Sequence, residues 1–123
     1  MPASADACAH AAFTAGETIF VNGGSGGVGT AVVQIARALG GRVLASAGTP
    51  DKRDAVCRLG ATAAFDYRRP DLVAAVREAA PGGVHVYWET QREPAFDQAV
   101  AMLAEGGRMV VMAGRDARPA FPV

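Results

Sequence analysis

Apolar positions follow two rhythms along this chain. Thr18-Ile19-Phe20-Val21 is an unbroken β-branched and aromatic run, the pattern of a strand covered on both faces. After a glycine-rich stretch, Val28, Ala31, Val32, Ile35, Ala36 and Leu39 recur at helical spacing. Thr30, Gln34 and Arg37 fall on the opposite side, and Gly40-Gly41 stops the helix. The unit then repeats. Arg42 to Ser46 reads as a second strand, and Thr49-Pro50 supplies an N-cap with proline at the first helical position, opening a helix through Leu59 that Gly60 ends. Ala63 to Asp66 reads as a short third strand. Pro70 opens a helix carrying Leu72, Val73, Val76 and Ala79, broken at Pro81-Gly82-Gly83. Val84 to Glu89 is the fourth strand, and Pro94 opens a helix with Phe96, Ala99, Val100 and Leu103, capped by Gly106-Gly107. Arg108 to Ala113 is the fifth strand. An alanine-rich segment from Ser4 to Phe13 suggests a further short helix ahead of these units.

Strands alternating with short helices require crossover connections, hence a parallel sheet. Right-handed crossovers make a doubly wound α/β domain with strand order 3-2-1-4-5 and helices on both faces the expected architecture, a Rossmann-type fold. The 123 residues suit one domain, with no linker or low-complexity tract inside it.

Charge narrows the class of partner. Twelve basic and twelve acidic residues cancel, which removes a general electrostatic case for nucleic acid or an anionic membrane. No apolar run approaches the ~18 residues of a membrane span, and no basic residue precedes Arg37 to start a signal segment. The expectation is a soluble, cytoplasmic domain. Cys8 and Cys57 lack metal-ligand spacing.

The candidate chemistry lies in the glycines. Gly24-Ser25-Gly26-Gly27-Val28-Gly29 fits G-x-G-x-x-G, and it follows the first strand and opens a helix, as a dinucleotide fingerprint requires. Gly24 is expected to permit the tight turn, Gly26 to let the backbone approach a pyrophosphate, and Gly29 to let the helix pack on the strand. Free amides and the positive end of the helix dipole attract the diphosphate. An NAD site usually places an acid about 20 residues further on. Here the second strand runs into Ser46-Ala47-Gly48-Thr49 with no carboxylate, and Lys52, the one lysine beside eleven arginines, opens the next helix. Hydroxyls of Ser46 and Thr49, the Lys52 cation and nearby Tyr67 suit a 2′-phosphate, so NADPH (NADP) is favoured over NADH.

Ala15-Gly16-Glu17-Thr18 leading into Val21-Asn22-Gly23-Gly24-Ser25-Gly26-Gly27-Val28-Gly29, then Ala47-Gly48-Thr49, Leu59-Gly60-Ala61 and Gly106-Gly107-Arg108, resemble the quinone oxidoreductases of the medium-chain dehydrogenase/reductase superfamily, zeta-crystallin included. The likeness runs from about Ala11 to Gly114. It implies zinc-independent hydride transfer from NADPH to a quinone or α,β-unsaturated carbonyl, with Lys52 and Tyr67 at the 2′-phosphate. It also implies cofactor contacts from Glu89 and, after the fifth strand, from Ala113 and Gly114. The sequence departs from the family on the turn after strand four, where Arg92 replaces a glycine in Glu89-Thr90-Gln91-Arg92. Family members carry a separate substrate domain that nothing here encodes. The expectation is a single dinucleotide-binding domain over 1–123, either cut from a larger enzyme or a shortened gene product, inactive by itself and completed by a substrate domain or by homodimerisation.

Other residues carry less. His10 and His85 have no partner at catalytic spacing, and His85 reads as a hydrogen-bonded structural histidine. Cys8, Cys57 and Trp88 read as packing residues, and Asp66 and Asp71 as turn and helix-start charges. A short-chain dehydrogenase would need a Tyr-x-x-x-Lys pair, which neither Tyr67 nor Tyr87 forms. The alternative from another class is a stand-alone, non-catalytic NADPH-binding or interaction module.

Overall fold

A computed structural model describes residues 15–91 and 93–111. The sequence-predicted helix over Ser4–Phe13 lies outside those residues. Nine elements alternate strictly in those that are described: β1 (Thr18–Asn22), α1 (Gly27–Ala38), β2 (Arg42–Ala47), α2 (Pro50–Leu59), β3 (Ala63–Asp66), α3 (Leu72–Ala79), β4 (Val84–Glu89), α4 (Phe96–Met102) and β5 (Leu103–Val111). The five strands form one sheet in the expected order β3-β2-β1-β4-β5, and every pairing is parallel.

The apolar run of β1 splits into two cores because successive side chains leave opposite faces of a strand. Ile19 and Val21 join Val43, Ala45, Val86 and Trp88 beneath Val32, Val33 and Ala36 of α1 and Val56 of α2. Phe20 joins Leu44 and Tyr87 against Val76 of α3 and Met102 of α4. The Phe20 and Tyr87 rings lie 5.3 Å apart across the strands. The Trp88 indole N–H is buried and has no hydrogen-bond partner among the described residues.

Helix ends explain most departures from the sequence reading. α1 buries Val32, Val33 and Ala36, whereas Val28 and Leu39 are 43% and 49% exposed. Val28 sits in the first turn, beyond the sheet's carboxyl edge, and Leu39 is the C-cap. α2 matches expectation, with the Thr49 Oγ1 accepting from the Lys52 N–H at 3.2 Å, Pro50 at its start and Gly60 at φ 132° closing it. α3 and α4 each begin two residues after the proline expected to open them, at Leu72 and Phe96. The Gly106-Gly107 pair does not cap α4. The chain enters β5 directly at Leu103, and the glycines fall inside that strand. Leu103 stands opposite Val84 and Arg108 opposite Val86. The extra residues are taken up by a bulge in which Gly106 adopts φ 77°.

At the amino edge, the His85 Nδ1 accepts the Thr18 N–H at 2.9 Å, the structural role expected for it. Glu17, just before β1, and Arg108, within β5 past the bulge, form an ion pair of 2.9 Å. Among the described residues, no helix is long and apolar enough to cross a membrane.

Candidate dinucleotide site at the carboxyl edge

β1 ends at Asn22, and the chain reverses at Gly23, whose φ of 87° is open to glycine far more than to other residues. The left-handed position is therefore Gly23 rather than Gly24. Gly24 is needed for a different reason: its N–H donates to the Ser46 carbonyl at 2.9 Å, and a Cβ there would stand 2.9 Å from that of Ala45. Gly29 is buried against the turn, where a Cβ would collide with the Gly23 carbonyl oxygen and lie 2.8 Å from the Gly24 Cα.

Gly26 and Gly27 differ from these. Gly26 has ordinary extended backbone (φ −78°, ψ 174°) as the N-cap of α1. Among the described residues, a Cβ on it would meet nothing closer than 3.8 Å, and one on Gly27 nothing within 4 Å. Neither internal packing nor backbone geometry calls for glycine at these two positions. Their missing side chains leave clear space over the start of α1. That helix has no side-chain cap and no acidic residue in its first turn, so its leading N–H groups and the positive end of its dipole lack an internal anion. Half-buried Ser25 and exposed Val28 flank the opening. This surface fits an anionic group approaching the backbone closely.

A buried polar chain holds the turn. The Glu89 carboxylate, fully buried, accepts from Asn22 Nδ2 at 2.7 Å, from the Gln91 N–H at 3.2 Å and from the Ala95 N–H at 2.8 Å. Asn22 Oδ1 accepts from Ser46 Oγ at 2.7 Å, and Ser46 Oγ accepts from the Gly23 N–H at 3.1 Å. The Thr90 hydroxyl donates to the Asn22 carbonyl at 2.6 Å. The ends of β4, β1 and β2 are thus tied together at the switch point of the sheet. Ser46 and Glu89 spend their polar atoms inside this chain, so they act by positioning the turn. Asn22 and Thr90, its other members, had no separate signal in the sequence.

A second cluster forms where β2 and β3 end. Gly48 lies against Tyr67, where a Cβ would stand only 2.9 Å from that ring's Cε1. Thr49 and Lys52 are exposed at the start of α2. Two arginines missed by the sequence reading join them. Arg68 lies over the Tyr67 ring at 5.6 Å from its centre and donates to the Gly48 carbonyl at 2.8 Å. Arg53 donates to the Ala47 carbonyl at 3.1 Å and faces Asp66 at 3.8 Å. The Arg68 backbone N–H, helped by the Arg68 and Arg53 guanidinium groups, holds the Asp66 carboxyl below the usual carboxylate range. With eleven arginines in the chain, composition alone could not single these two out.

Between the clusters runs a cleft of about 450 Å³, lined by Asn22, Tyr67, Gln91, Glu93, Ala95 and Gln98. It passes from the end of β3 to the β4–α4 connection. Ala113 and Gly114 lie outside the described residues.

Behind the cleft, burial and then the nearby Glu89 charge push the Tyr87 phenol above its ordinary value. The unfolded chain releases this proton near pH 10 while the folded chain keeps it, so stability falls as pH rises past about 10. Urea unfolding followed from about pH 9 to 11 should show this decline in the parent chain and a shallower one in Tyr87→Phe. Equal slopes would contradict the assignment.

Among the described residues, no three His, Cys, Asp or Glu side chains come together as a metal-binding group. Cys57 is exposed, and the Nδ1 of His85 is engaged by Thr18. The described residues do not fit a zinc centre.

Residues 27–123 match the family described as zinc-binding dehydrogenase. The human quinone oxidoreductase is 33% identical over 102 residues, covering 82% of this chain and 31% of that protein. The chain thus spans about a third of the length of the curated quinone oxidoreductase it matches. The solved quinone oxidoreductase of Thermus thermophilus, described also in complex with NADPH, superposes with a TM-score of 0.78 at 35% identity, over 89% of this chain and 35% of that one. A putative enoyl reductase domain of a polyketide synthase superposes with a TM-score of 0.80 at 29% identity, over 92% of this chain and 66% of that one. The fingerprint, the strand order and these likenesses agree: the chain belongs to the zinc-binding dehydrogenase family of the medium-chain dehydrogenase/reductase superfamily, as its cofactor-binding part.

Proposed function

We propose that this domain binds NADPH for a zinc-independent oxidoreductase that passes hydride to a quinone or an α,β-unsaturated carbonyl when a substrate domain completes the cleft. The observation that carries the reading is the open glycine pair, Gly26 and Gly27, above an uncapped helix start. The diphosphate lies along Ser25 to Gly29 and takes the free N–H groups of α1. Ser46 and Glu89 hold that turn from beneath. At the adenosine end, Thr49, Lys52 and Tyr67 surround the 2′-phosphate, and Arg68, stacked on Tyr67 beside Gly48, adds a second cation. The base occupies the cleft toward Gln98. Ala113 and Gly114 border the nicotinamide, as the family resemblance implies. The cofactor supplies the hydride, and the protein supplies grip and orientation. The named activities of the human and Thermus relatives support a quinone acceptor, and the enoyl reductase likeness supports the enone.

The testing experiment is a titration of both nicotinamide cofactors. Lys52→Ala removes one charge-assisted contact of about 1.5–3 kcal/mol, so NADPH affinity should fall roughly tenfold to hundredfold while NADH affinity barely changes. Equal losses for both cofactors, or none for either, would take Lys52 out of the site. Addition of a simple quinone to the NADPH-loaded protein then assays hydride transfer by the decay of NADPH absorbance.

A further inference from the structure

We infer that Asn22-Gly23 is a latent deamidation site held shut by Ser46, and that opening of the glycine turn converts Asn22 to aspartate or isoaspartate. The inference concerns the chain's own covalent chemistry and does not depend on the nucleotide the site takes.

Asparagine followed by glycine is the dipeptide most open to deamidation, because glycine has no Cβ to obstruct attack by its own nitrogen. The fold requires this pair. Asn22 accepts at Oδ1 from Ser46 Oγ and donates at Nδ2 to Glu89, each at 2.7 Å, which an amide does and a carboxylate cannot. Gly23 has φ 87°, and a Cβ there would collide with the Thr90 hydroxyl and lie 2.6 Å from Gln91 Nε2. Neither residue can be exchanged for a more durable one without loss to the turn.

In deamidation the Gly23 nitrogen gives up its proton to solvent and bonds to Asn22 Cγ. The Cγ–Nδ2 bond breaks, Nδ2 takes up a proton and leaves as ammonia, and water opens the resulting five-membered imide. Three features oppose the first step. Ser46 Oγ accepts the Gly23 N–H at 3.1 Å and donates to Asn22 Oδ1, so one side chain fixes both the attacking nitrogen and the amide it would attack. Asn22 ends the extended strand β1, in register with Glu89 of β4, and ring closure needs the chain there to leave that conformation. Asn22 is 6% exposed although it lines the cleft, so water and hydroxide reach its amide freely only when the turn opens. Either product dismantles the polar chain. Aspartate sets a carboxylate against that of Glu89, and isoaspartate adds a methylene to the backbone between β1 and the turn.

The test incubates the full 123-residue chain at mildly alkaline pH and follows the Asn22 peptide by mass spectrometry, with isoaspartate resolved by chromatography. The folded parent should convert at least about tenfold more slowly than the same chain in urea past its unfolding midpoint. Ser46→Ala, checked as folded by circular dichroism, should convert roughly tenfold faster than the folded parent, in keeping with the hydrogen bonds it loses. Val76→Ala lowers stability from the opposite core without touching the turn, and should stay near the parent's rate. A folded parent that converts as fast as the chain in urea overturns the inference, and so does Ser46→Ala converting no faster than Val76→Ala. Amide hydrogen exchange at Gly23 of the parent needs no variant to fold. It should be slowed roughly a hundredfold against the unfolded chain, and unprotected exchange there overturns the inference as well.

Discussion

Gly29→Ala is expected to destabilise the domain by about 3 kcal/mol or more, lowering its melting temperature by roughly 10 °C. The added methyl would collide with the Gly23 carbonyl oxygen and sit 2.8 Å from the Gly24 Cα. Both neighbours are backbone in a turn already fixed by Gly24 N–H bonding to Ser46, so neither can rotate aside. Alanine's helix propensity returns only about 0.8–1.0 kcal/mol. The clash therefore wins, and α1 must lift from the end of β1. Thermal unfolding by circular dichroism measures the outcome. A melting point within about 2 °C of the parent, well short of the shift such a cost implies, would mean the helix does not pack on the turn as described.

Glu89→Ala should cost about 3 kcal/mol, because it leaves donors without their acceptor at about 1–3 kcal/mol for a buried one. The carboxylate is fully buried and takes three hydrogen bonds from within the chain. Its removal leaves the buried Asn22 amide and two part-buried backbone N–H groups without their acceptor, and opens a void. Glu89→Gln should cost less, since one oxygen still accepts, although its NH₂ then faces a donor. Urea denaturation of the three proteins checks the ranking: parent most stable, then Gln, then Ala. Equal stability of parent and Ala would remove Glu89 from the structural centre of the site.

The parallel sheet and its order were legible because each βα unit repeats a buried apolar run followed by a helical spacing. The glycine turn was legible because its position between strand and helix gives the motif meaning. Other features depended on where side chains end up. Ser46 and Glu89 stand at the right sequence positions to meet a nucleotide, yet the fold turns both inward to bind Asn22. Gly23 carries the left-handed turn, and nothing in a run of five glycines between positions 23 and 29 marks which one must. Gly106-Gly107 looks like a helix stop in sequence but serves as a bulge, since glycine suits both. Arg68 reaches Gly48, and Arg53 faces Asp66, only because β3 pairs with β2 and brings Tyr67 beside Gly48.

Gly27→Asp separates folding from binding most directly. The position opens onto clear space, so the new side chain meets no clash. A carboxylate in the first turn of α1 favours the helix by about 0.3–1 kcal/mol. The same charge would occupy the place assigned to the diphosphate and repel it. The expected result is a melting temperature equal to or above that of the parent, together with NADPH affinity reduced by about a hundredfold or more, near 2.7 kcal/mol. Unchanged NADPH affinity in a fully folded Gly27→Asp chain would show that the nucleotide does not lie on the glycine turn.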